Sequence, residues 1–122
     1  MPYAIAMDKD ILVVTLWQAL TPEDLTGIMR DADDIERDLD PVPHRLTTPR
    51  GPIEVKVGYQ EVKAFAWHRR VIVFPNVFRS AIVVHTPVER GIARQFQTLN
   101  DNPQITIEIF DNDEAALAWL RR

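Results

Sequence analysis

Residues 80–120 read SAIVVHTPVERGIARQFQTLNDNPQITIEIFDNDEAALAWL, and this stretch decides the fold class. Ser80 to His85 is an apolar run of strand length. Thr86-Pro87-Val88-Glu89 follows with a capping hydroxyl, a proline at the first helical position and a glutamate at the third. Val88, Ile92, Phe96 and Leu99 then recur at helical spacing, until Asn100-Asp101-Asn102-Pro103 ends the helix. Ile105, Ile107 and Ile109 alternate with Gln104, Thr106 and Glu108, the pattern of an edge strand with one solvated face. Asp111 and Glu114 predict a second capped helix, docked by Leu117 and Leu120 with Trp119 on or beside that stripe. The whole is a β-α-β-α unit, whose strands are expected to be parallel and joined by right-handed crossovers.

Working back from this unit, Tyr3 to Met7 and Ile11 to Leu16 are β-rich runs flanking Asp8-Lys9-Asp10, which predicts a hairpin with a three-residue loop. Thr21, Pro22 and Asp24 predict a capped helix start, and Leu20 and Leu25 are placed for a hydrophobic staple. Leu25, Ile28, Met29, Ala32, Ile35 and Leu39 form its expected buried stripe. The opposite face carries Asp31, Asp33, Asp34, Glu36 and Asp38; these fan around a helix instead of converging on a loop, so a solvated or partner-facing surface is expected. Residues 40–52 hold four of the nine prolines. The third strand falls either at Arg45 to Thr48 or at Ile53 to Val57. Tyr59 to Arg70 predicts a helix with Tyr59, Val62, Phe65, Ala66 and Arg69 on one face. The prediction is one α/β domain over residues 1–122, ordered β-β-α-β-α-β-α-β-α. Its sheet is mixed and mostly parallel, with four to five strands, an N-terminal β-hairpin and about four helices.

The composition narrows the chemistry. A chain with 46% hydrophobic and 26% charged residues fits a globular protein, and the absence of cysteine excludes disulfides, thiol chemistry and Cys-ligated metal. No apolar run approaches the roughly 20 residues that span a bilayer, and the start lacks a signal-peptide pattern, so a cytoplasmic protein is expected. The net charge of −4 is unevenly spread. Residues 1–40 carry ten acidic and three basic side chains, whereas residues 41–100 carry nine basic and three acidic ones. Such a chain is a poor nucleic-acid binder, but its opposite-sign regions suit a homodimer or a charged protein partner.

Taken together, the element order and residues 80–120 resemble the SpoIIAA-like group of the STAS superfamily. These are the domains of anti-sigma-factor antagonists, related bacterial regulators and the tails of anion transporters. In such domains a strand like AIVVHT leads to a helix, a strand like ITIEIF and a closing helix like EAALAWL. The resemblance implies a non-enzymatic regulatory module acting through protein–protein contact, without a cofactor. In the antagonists a partner kinase phosphorylates a Ser or Thr within a motif close to Asp-Ser-Ser-Gly. The corresponding region here is Leu46-Thr47-Thr48-Pro49-Arg50-Gly51, which keeps a hydroxyl and a glycine and makes Thr47 and Thr48 the switch candidates. Related SEC14-like domains hold lipids, which gives the alternative: a small apolar ligand or lipid held by the apolar segment 65–78.

Other candidates come from the residues themselves. His85, Thr86 and Arg90 lie where a parallel strand meets a helix N-terminus, a place that attracts anions. The predicted partner surface is formed by the second and third helices and the 44–52 loop, with Thr47, Thr48, Arg50, Arg90 and Arg94. His44 and His68 show no metal-ligand spacing with Asp40 or Glu61. Ser80, the one serine, is not on a nucleophile elbow, so hydrolase chemistry is not expected.

Overall fold

The computed structural model describes residues 2–122. Its elements run β1 (Tyr3–Asp8), β2 (Ile11–Leu16), β3 (Ala19–Leu20), α1 (Pro22–Arg37), β4 (His44–Pro49), β5 (Glu54–Val55), α2 (Tyr59–Arg70), β6 (Phe78–Val83), α3 (Pro87–Leu99), β7 (Ile105–Phe110) and α4 (Asp113–Leu120). Five strands form one sheet in the order β1-β2-β4-β6-β7. The β1–β2 hairpin is antiparallel and every other neighbour in that sheet is parallel. This is the expected α/β domain with a mixed, mostly parallel sheet. Each crossover moves one place along the sheet in the same direction, so α1, α2 and α3 all cover one face. Val14 and Leu16 pack there with Ile28, Val62, Ile92 and Phe96. The other face takes α4, whose Ala116 and Leu120 pack on Leu46, Ala81 and Val83.

The 41–58 region resolves into two strands with different jobs. β4 is the middle strand of the main sheet, paired with β2 and β6. The 53–57 run contributes only β5, which pairs with β3 in a separate two-stranded sheet. The alternation of Ile53 to Val57 is thus real, but its partner is the short strand before α1.

Several local expectations are corrected. The β1–β2 loop has two residues, because Asp8 pairs with Ile11, and Lys9 takes φ 57° to close it. Asn112, not Asp111, caps α4: its Oδ1 accepts from Ala115 N at 2.8 Å. Asp111 is instead paired with Arg90. The buried positions of α3 are Glu89 and Ala93, and Val88 stands in solvent. The α1 start is as read, with Thr21 and Asp24 exchanging both capping-box bonds.

The largest correction concerns the acidic face of α1. Asp31 accepts from the Tyr3 hydroxyl at 2.8 Å, Asp33 pairs with His68 and Arg69, and Glu36 is 5% exposed. Only the outer carboxylates, such as Asp34 and Asp38, belong to a solvated surface.

Candidate functional site

Alternation along β4 sends Arg45, Thr47 and Pro49 to the face under α1–α3, and Leu46 and Thr48 to the α4 face. The same alternation brings Ser80 and Ile82 of β6 to the helix side. Between this part of the sheet and the three helices lies a hollow of about 130 Å³. Its walls are largely apolar, built from side chains such as Val14, Leu20, Ile28, Val62, Phe65 and Phe96. Phe65 and Phe96 meet edge to face at 5.1 Å, joining α2 to α3 over it. Arg45, Thr47, Ser80 and Glu89 bring polar atoms to its lining.

Arg45 belongs at the same time to a buried ionic cluster. Its Nη2 donates to Glu36 Oε2 at 2.8 Å, and Arg69 Nη1 donates to Glu36 Oε1, also at 2.8 Å. Arg69 Nη1 reaches on to Asp33 Oδ1 at 3.2 Å, and His68 closes the chain against the other Asp33 oxygen. The Arg69 guanidinium lies 5.1 Å from the Phe74 ring centroid. Two arginines thus face two carboxylates, which is the balance that buried charges need. Burial alone would raise the Glu36 pKa, but Arg45 and then Arg69 outweigh it and hold the carboxyl below its ordinary range. Arg45 is pushed down to about 10 by burial and by Arg69, with Glu36 opposing, so it stays charged at neutral pH. Its Nε is buried without a hydrogen-bond partner.

The residues singled out from sequence are not brought together. Thr48 is buried, and its hydroxyl donates to Asp113 Oδ1 at 2.6 Å, tying β4 to the start of α4. Thr47 borders the hollow from inside the sheet. Both lie within β4, well before α2 begins. Thr86 Oγ1 accepts from Glu89 N at 3.1 Å and is the α3 cap. At that helix start the Glu89 carboxylate accepts from His85 N at 3.0 Å and from Ile53 N at 3.3 Å. An internal carboxylate therefore holds the place an anion would take. The His85 side chain is exposed, Arg90 is tied to Asp111, and Arg50 and Arg94 are exposed.

Sequence reasoning missed Glu36, Arg45 and Arg69 as a unit. A signal existed. Glu36 continues the buried i+4 series Ile28, Ala32, and Arg69 follows Val62 and Ala66 on one helix face. A charge on the apolar stripe of each of two helices asks for a partner, and the partners are here each other. No family model matches this chain, and no curated protein is significantly similar to it.

Proposed function

We propose that the chain is a non-enzymatic regulatory module of the STAS kind, working in bacterial cytoplasm by protein contact and assembling as a homodimer through the end of α2 and the loop after it. The carrying observation is an exposed apolar series. Trp67, Val71, Val73 and Val77 are 58%, 58%, 88% and 71% exposed within one short segment. Clustered large apolar side chains left in water mark contact surfaces. Beside Val73 runs a groove between the end of α1 and residues 72–75, bordered by Asp33, Arg37, Leu39 and Asp40. The exposed Asp40 on its border can pair with an exposed cation of a second copy. No helix among the described residues is long and apolar enough to cross a membrane. The switch role considered for Thr47 and Thr48 stays outside this proposal, because the Thr48 hydroxyl is bonded to Asp113 and Thr47 lines the hollow under the helices.

Light scattering on eluting protein, at several concentrations, tests the dimer. The wild type is expected at dimer mass and Val73→Glu/Val77→Glu at monomer mass, with an unchanged circular dichroism spectrum because both positions are exposed. A wild type that stays monomeric at every concentration overturns the assignment.

The alternative of a small apolar ligand is favoured by a different observation, the hollow beneath α1–α3. Of the apolar segment 65–78, the hollow uses only Phe65.

A further inference from the structure

We propose that the hollow between the sheet and α1–α3 is a binding site for a small apolar carboxylic acid, whose carboxylate pairs with Arg45 and whose hydrocarbon lies among Val14, Ile28, Phe65 and Phe96. This site is separate from the contact surface around Val73 and does not depend on it.

Three observations carry it. The hollow is lined largely by apolar side chains, and its volume of about 130 Å³ approaches that of a cavity that holds one benzene ring, roughly 150 Å³. It therefore suits a ligand of roughly six to eight heavy atoms. Arg45, which lines it, is 5% exposed and has an Nε without a partner. An unpaired guanidinium N–H in such a place keeps its desolvation cost, and an incoming carboxylate would remove that cost through the N–H groups Glu36 leaves free. The hydroxyls of Thr47 and Ser80 border the same hollow and can donate to the second carboxylate oxygen.

An unmet donor, and not the charge count, favours an acid over a neutral molecule. Within the cluster, Arg45 and Arg69 are balanced by Glu36 and the partly exposed Asp33. Asp33 bonds to Arg69 and His68, and Glu36 is the carboxylate bonded to Arg45. Glu89, the anion of the lining, has both oxygens engaged by backbone N–H groups of residues 85 and 53. A ligand carboxylate at the Arg45 end thus meets the one N–H of the cluster that has no partner, Arg45 Nε. Leu25 and Phe65 line both the hollow and the surface groove between α1 and α2.

Hexanoate and hexan-1-ol share one chain length and differ in the head group, so they are the probes. Calorimetric titration and thermal unfolding of the whole chain at neutral pH are expected to show hexanoate binding at least tenfold tighter than hexanol and raising Tm. Ala93→Leu, which fills the hollow from α3, is expected to abolish the hexanoate shift. The double change Glu36→Gln/Arg45→Met, which removes both charges together, is expected to erase the preference for acid over alcohol. Val73→Glu/Val77→Glu should bind hexanoate as the wild type does. Equal or tighter binding of hexanol, no heat and no Tm shift from hexanoate up to its solubility, or undiminished binding in Ala93→Leu overturns the site. If either interior variant fails to fold, the acid–alcohol comparison on the wild type decides alone.

Discussion

Gly27 is a position where one missing atom carries weight. A Cβ built there would stand 2.3 Å from the Tyr3 hydroxyl oxygen and 3.1 Å from the ring carbon that bears it. That ring is 6% exposed and its hydroxyl is held on Asp31, so it has little room to give. Gly27→Ala should gain about 1 kcal/mol of helix propensity but lose about 1–3 kcal/mol to overpacking. We expect a net loss of stability in urea unfolding, partly recovered when Tyr3→Phe removes the oxygen. His44 shows a second residue-level constraint. Its Nδ1 accepts the Arg79 backbone N–H at 2.8 Å, which requires an unprotonated nitrogen. Burial, and then Arg79, lower its pKa below the ordinary histidine value, against a smaller pull from Asp10. The unfolded chain therefore takes up this proton first as pH falls. The His44 contribution is complete above the unfolded pKa of about 6.5 and is lost as pH drops through the folded value. Unfolding free energy should thus fall more steeply between neutral pH and mild acid in the wild type than in His44→Asn, whose amide oxygen can accept the same N–H. Parallel slopes would show that His44 titrates alike in both states.

At the scale of elements, the Glu36 cluster joins three of them. It ties α1 to the middle strand β4 through Arg45 and to α2 through Arg69, at 2.8 Å on each side. Removing Glu36 alone would leave two arginines, 5% and 2% exposed, without their shared anion. Glu36→Ala should then cost about 3–5 kcal/mol in denaturant unfolding. Glu36→Gln/Arg45→Met should recover most of this, because Arg69 still has Asp33 and no charge is stranded. If the single and double variants are equally unstable, the cluster acts through packing and not through charge. The sequence carried part of this. Ile28, Ala32 and Glu36 are spaced as one stripe, but five acidic residues on one helix look alike until α2 and β4 choose among them. Arg45 was legible as a strand residue; its burial was not, since its place in the middle of the sheet comes from pairing with β2 and β6.

At the scale of the whole molecule, three crossovers running the same way put α1, α2 and α3 on one face and leave α4 for the other. The hollow lies on the three-helix side, between α1–α3 and the strands β4 and β6. It also turns the end of α2 and residues 71–77 outward, where Trp67, Val71, Val73 and Val77 remain uncovered. The dimer prediction belongs to this scale. Because oppositely charged regions would face each other across it, the dimer should weaken as salt rises while its apolar part remains. Added salt that leaves the dimer–monomer balance unchanged in light scattering would assign the contact to apolar burial alone.

The sequence by itself determined the order of the main elements, the parallel character of the later strands, the cap of α1 and the proline-led start of α3. These features are local: hydrophobic period, capping hydroxyls and proline placement act within a few residues. The tertiary structure alone decided that β4 and not the 53–57 run enters the main sheet, that Glu36 is buried while Asp34 is not, and that Arg45 and Thr47 face a hollow while Thr48 faces α4. Each depends on groups far apart in the chain, as Glu36 and Arg69 are, 33 residues apart. A charge is stable inside a protein only when its partner arrives from elsewhere in the fold.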